Sequence, residues 1–209
     1  MKLFTIIILT LFVSCRAKKN GNVIVDYSTS LVNKSESIIT YKKLDISQFV
    51  PDGYSILDSA SGHLNKDQTQ DLILILNKID EQSISDIIDN PTHRPLLVLL
   101  NQENNSYVLA SRGDSAVYCC DCGGIVGDPY QGLTIKDYSF IIYHYGGSRW
   151  RWSRNLTFSY SESDQNWILI ADENSSFDSF DPDKVETTIF TPKDFGSLSL
   201  KGFNIYKEK

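Results

Sequence analysis

The sequence predicts a mainly β domain of antiparallel sheets, arranged as a sandwich or a propeller-like stack, with one or two short helices. Three observations lead there. From Ile38 onward the chain is a series of short apolar runs divided by Gly, Asp, Asn, Ser and Pro, the punctuation of strands and turns. Two runs, 72–76 and 96–100, are apolar at every position, as strands covered on both faces are. A third stretch alternates: Trp150, Trp152, Leu156, Phe158 and Tyr160 share one face, and Arg151, Ser153, Asn155, Thr157 and Ser159 share the other.

Taken in order, strands are expected near 53–60, 71–77, 95–101, 106–111, 132–136, 138–145, 150–161, 166–172 and 185–190. Residues 45–50 suit one or two helical turns ended by Pro51. Ile84, Ile87 and Ile88 stand at i, i+3 and i+4, which predicts a short amphipathic helix within 80–89, closed by the Asn90-Pro91 turn signal.

The N-terminus has a different character. After Met1-Lys2 comes an apolar run over 3–13, far short of the roughly 20 residues that cross a bilayer but suited to a secretory leader. Phe12-Val13-Ser14 then precede Cys15, which resembles a lipobox with Phe12 where Leu is usual. The resemblance implies that 1–14 is a cleaved signal peptide and that Cys15 is acylated and becomes the new N-terminus. The lipid bilayer is then a partner, and the expected location is the bacterial envelope, on the outer membrane facing the periplasm. Residues 15–37 form the lipidated cysteine and its polar tether, and 38–209 form one β-rich domain. Removing 1–14, with Lys2 among them, takes 209 residues to 195 and the formal charge from −6 to −7. That length suits one domain with a sizeable core, and that charge argues against nucleic acid and anionic bilayers as primary partners.

Residues 61–72 resemble the calcium-loop core of FG-GAP and integrin-propeller-like repeats, in which alternate oxygen ligands wrap a hard cation. The resemblance makes Asn65, Asp67 and Asp71 candidate ligands. His63 stands where the first Asp belongs and Gln68 where the turn Gly belongs, and a neutral imidazole weakens a calcium site. The expectation is a metal-free turn with no cofactor. One copy cannot build a propeller.

Cys119, Cys120 and Cys122 place three thiols within four residues. In an oxidising compartment a Cys119–Cys122 disulfide is expected, because an i, i+3 pair closes within one turn, leaving Cys120 unpaired. A redox motif would open a helix, whereas Gly123-Gly124 and Gly127-Asp128-Pro129 indicate an irregular loop. A zinc site would need further ligands.

Residues 144–154 look most like a binding site. His144, Arg149, Trp150, Arg151 and Trp152 offer stacking and charge-assisted bonds to a small anionic or sugar ligand. The competing reading is structural: Gly146-Gly147 turns a hairpin, both tryptophans pack in the core, and Arg149 and Arg151 face water, free to bind. His144 would become a base if paired with an Asp such as Asp128. No G-x-S-x-G, H-E-x-x-H, Walker or dinucleotide motif is present, so no catalytic residue is assigned.

The order C-x-x-C-G-G, G-D-P-aromatic and H-Y-G-G-S-x-W-R-W over residues 50–172 resembles a group of uncharacterised exported bacterial lipoproteins. The resemblance implies a family and transfers no activity. The expected function is a membrane-tethered, non-catalytic binding or interaction lipoprotein whose partner is a protein or a small anionic or sugar ligand. Two rivals stand beside it: an envelope hydrolase or thiol redox enzyme using His144 or the cysteines, and an immunity-type lipoprotein that binds a protein toxin.

Overall fold

A computed structural model describes residues 45–102 and 106–207. The leader, Cys15, the tether and the expected domain start at Ile38 lie outside them. Strands β1 (Tyr54–Gly62), β2 (Asp71–Lys78), β3 (Leu96–Asn101) and β4 (Tyr107–Gly113) form one sheet. Strands β5 (Tyr130–Lys136), β6 (Ser139–Gly147), β7 (Trp150–Ser161), β8 (Asn166–Asp178) and β9 (Glu186–Phe190) form the other. In both, each strand pairs antiparallel with its neighbour in sequence, and neither sheet closes into a barrel. The expected mainly β architecture is therefore present, with all nine strands in place.

The doubly apolar β2 has the two covers its composition requires. Ile73 and Ile75 enter the main core with Leu96 and Val98, facing Phe140, Ile142, Leu156, Phe158, Trp167 and Leu169 of the second sheet. Leu74 and Leu76 turn the other way, with Leu97 and Leu99, beneath Ile46, Phe49 and Val50. Those last residues belong to a single 3-10 turn at Ser47–Phe49, where one or two helical turns are expected. The C-terminal segment adds Leu200, Phe203 and Ile205 to the main core. Trp167 satisfies its buried indole by donating Nε1–H to the Leu64 carbonyl at 3.1 Å. The Tyr130 hydroxyl donates to Asp58 at 2.6 Å and ties β5 to β1.

The amphipathic helix expected within 80–89 is reduced to one turn, α1 (Glu81–Ile84). Its buried residue is Glu81, while Ile84, Ile87 and Ile88 are exposed. The Asp86 carboxylate accepts the amides of Ile88 and Asp89, and Asp86 bridges to Asn90, so local polar bonds turn the chain before a second helical turn can form. Another helical turn, α2 (Pro192–Phe195), opens on a capping box between Thr191 and Asp194. Strand β8 runs six residues past its expected end, because its polar second half pairs with the start of β7 and the ladder rather than apolar content sustains it. Among the described residues no helix is long and apolar enough to cross a membrane.

The connections β2–β3, β4–β5, β6–β7 and β8–β9 meet at one end of the sheets. Ser85 Oγ donates to Asp121 at 2.7 Å, Gly147 N to Gly123 O at 2.9 Å, and Ser179 N to Arg149 O at 2.9 Å. At the opposite end a Lys66–Glu162 pair joins the β1–β2 and β7–β8 turns at 2.6 Å.

Candidate functional site

The β4–β5 connection carries the cysteines. Cys119 and Cys122 are joined by a disulfide, with Cα atoms 5.2 Å apart, as their spacing predicts. Cys122 N donates to Cys119 O, and Gly123 N to Gly127 O at 2.8 Å, closing a loop over a 3-10 turn at Gly124–Val126. A Cβ on Gly123 would collide with the Gly127 carbonyl, so only glycine fits there. The Gly147–Gly123 bond then seats the loop against the β6–β7 hairpin. Cys120 is a free, buried thiol whose pKa is pushed up by burial, with Glu81 and Asp121 adding to the shift. The cluster Cys119, Asp121 and Cys122 is metal-like in composition, but both its sulfurs are in the disulfide and offer no thiolate.

Beneath this loop lies a side chain that the sequence does not single out. Arg94 is 0% exposed, and its guanidinium places all five N–H donors. Nε and Nη2 donate to Glu81 at 3.0 and 2.7 Å, Nη1 and Nη2 to Asp128 at 2.7 and 2.6 Å, and Nη1 to Tyr118 O at 3.3 Å. Burial alone would lower the Arg94 pKa; the two carboxylates outweigh it and keep the guanidinium charged. Arg94 thereby ties α1, the cysteine loop and the entry to β5 together. No local pattern marks it, since its partners lie 13 and 34 residues away.

The second charged centre involves β7 and β8. Arg154 donates through Nε and Nη2 to Asp172 at 3.0 and 2.8 Å, and through Nη1 to the Tyr118 hydroxyl and Ile205 O. Its position carries a signal: Arg154 has the parity of Leu156 and Phe158, the dry face of the strand. A charge of that parity needs a buried partner.

His144 sits beside this pair, 1% exposed, with Tyr118 and Tyr130 rings edge-on to it. Nδ1 lies 3.3 Å from Arg154 O, and Nε2 accepts from Tyr118 N at 3.5 Å. Burial pushes its pKa down to about 4. The pairing with Asp128 that would make His144 a base is not formed, because the two Asp128 carboxylate oxygens face Arg94.

The five residues expected to form one ligand surface are divided. Trp152 is half-buried with its ring 5.6 Å from Tyr118, near His144. Trp150 lies at the strand end, beyond the core, and is 63% exposed, so the two tryptophans do not share a core environment. Arg149 and Arg151 are not free either. Arg149 makes a two-point pair with Asp178 at 3.0 and 2.7 Å and lies over the Phe180 ring, and Arg151 donates to Gly147 O at 3.2 Å. A groove of about 500 Å³ opens instead over Tyr118 and Arg154, lined also by Asn174, Phe190, Tyr206 and Lys207, and His144 is not among its walls.

The calcium-like turn is held by its own polar groups. Asp67 Oδ1 accepts from Thr69 N and Oγ1 at 2.8 and 2.6 Å, and Asn65 exchanges bonds with Asp67 in both directions. Asp71 is fully buried, and its two oxygens accept the amides of Leu64 and Asn101 at 2.9 and 3.0 Å. His63 Nδ1 lies 2.9 Å from Thr69 O. These bonds pin the turn to β3.

Comparison with protein-family models, with curated proteins and with solved structures gives no match. Function is therefore a question for the chain's own chemistry.

Proposed function

We propose that the protein is a membrane-tethered, non-catalytic binding lipoprotein of the bacterial envelope, anchored through acylated Cys15. The anchor rests on the lipobox-like sequence. The binding role rests on one observation: the buried ionisable groups around the hairpin are engaged by the fold itself. Arg94 places all its donors on Glu81, Asp128 and Tyr118, and Arg154 is held by Asp172, Tyr118 and Ile205.

A general base must reach the proton it removes. His144 is enclosed, with its nitrogens directed at backbone groups, which speaks against the hydrolase reading. A redox cysteine needs an accessible, low-pKa thiol. Cys120 is buried and shifted the other way, which speaks against the redox reading. A domain so braced holds its surface loops in fixed positions, which suits recognition.

Exchange of Cys15→Ser in the producing cell tests the anchor. The variant is expected to leave the membrane fraction or to stall before maturation. Unchanged membrane fractionation overturns the lipoprotein reading.

A further inference from the structure

Exposed apolar side chains are concentrated at the end where four connections meet. Ile87 and Ile88 project from β2–β3, Ile125 from β4–β5, Trp150 from the β6–β7 hairpin, and Phe180 and Val185 from β8–β9. Ile88, Ile125 and Phe180 are each 80% exposed or more. The four connections are bonded to one another through Ser85–Asp121, Gly147–Gly123 and Ser179–Arg149, so these side chains sit on adjoining loops. Underneath, the Cys119–Cys122 disulfide and the Arg94 network hold the first two loops in place. Apolar residues on braced, neighbouring loops mark an interaction surface.

Charge selects the partner. Asp80, Asp86, Asp89, Asp181 and Asp183 are exposed among the same loops. Arg149 is paired with Asp178 and Lys184 with Asp181, and Arg151 donates to the Gly147 carbonyl, which leaves Asp80, Asp86, Asp89 and Asp183 as the acidic excess. An acidic surround repels anionic lipid headgroups and attracts a basic surface, while the isoleucines and aromatic rings need an apolar stripe to cover them.

We infer that this four-loop end is the docking surface for a basic, amphipathic segment of a partner protein. The inference rests on the binding reading above and sharpens it toward capture of a basic protein. It does not depend on the anchor.

The test uses the full chain in neutral phosphatidylcholine nanodiscs, or in buffer alone where it does not partition into them, with the matching blank subtracted. It is titrated with a designed Leu/Lys amphipathic helix, a Leu/Glu counterpart and an Ala/Lys helix that keeps the charge without the apolar stripe. Trp150 emission reports contact, and Trp150→Phe removes that signal. Binding of Leu/Lys is expected to exceed both controls by about tenfold or more, to weaken with salt, and to fall about tenfold in Ile88→Ser/Ile125→Ser. Both exchanges are at exposed positions, and an unchanged melting temperature verifies that the fold is intact. Equal binding of the Leu/Lys and Leu/Glu helices, or indifference to the double exchange, overturns the inference. A Trp150 shift caused by phosphatidylglycerol discs alone also overturns it and assigns the surface to lipid. None of these outcomes bears on whether Cys15 anchors the chain, which the fractionation test decides.

Discussion

Arg94 and Asp128, 34 residues apart, meet in a two-point pair of 2.7 and 2.6 Å while Glu81 grips the other edge of the same guanidinium. The two carboxylates differ in environment: the Glu81 side chain is nearly buried, and that of Asp128 is 41% exposed. Removing the cation strands Glu81 away from water, whereas removing Asp128 leaves Arg94 with Glu81. Arg94→Met is therefore expected to cost about 3–5 kcal/mol in urea unfolding, and Asp128→Asn about 1 kcal/mol. Arg94→Met/Glu81→Met should recover much of the loss, since an apolar pair replaces a stranded charge. Equal losses for the two single exchanges would show that the network does not divide this way.

His144 gives a pH dependence with a defined sign. Its pKa is about 4 in the fold against 6.5 for an unperturbed imidazole, so the unfolded chain takes up the proton first. The contribution is fully present above pH 6.5 and is lost as pH falls toward 4, reaching about 3 kcal/mol. Urea midpoints at pH 7 and pH 4.5 should differ less in His144→Gln than in the parent. An identical pH difference in both would show that His144 titrates normally.

The turn at 62–71 is expected to be indifferent to calcium, because Asp67 and Asp71 already accept the loop's own amides and hydroxyl. Melting temperatures in a chelator and in excess calcium should agree within about 1 °C, since a cation that binds only the fold would raise the value. A rise of several degrees would make Asn65, Asp67 and Asp71 ligands after all.

Peptide mapping without reductant should recover the 119–122 linkage, with Cys120 alkylated only after denaturation because its thiol is buried. Reduction opens so small a ring that its direct cost is about 2 kcal/mol. The larger effect should be on the loop, and therefore on the surface around Ile125. Three freely alkylated thiols among Cys119, Cys120 and Cys122 in the folded protein would sink this account. Turnover of a disulfide substrate would restore the redox reading.

Much of the fold is readable along the chain. Turn chemistry and period-two alternation locate all nine strands because both depend on residues a few positions apart. The all-apolar run in β2 announces its two covers in the same way, and the i, i+3 spacing announces the disulfide. Local polar bonds overrule local periodicity at 80–89, where the isoleucines have helical spacing but the Asp86 turn intervenes. The site was less legible, for a physical reason. Whether Arg149 is free depends on Asp178, which β-pairing brings to the hairpin from 29 residues away. Whether Trp150 is core depends on its place at the very end of β7, not on its parity. The sequence by itself determined the strands, the alternation of their side chains and the cysteine staple, all of which follow from short-range stereochemistry. Only the tertiary structure decided which charges meet. An ion pair such as Arg94–Asp128 is set by the register and crossing of distant elements, which no spacing along the chain encodes.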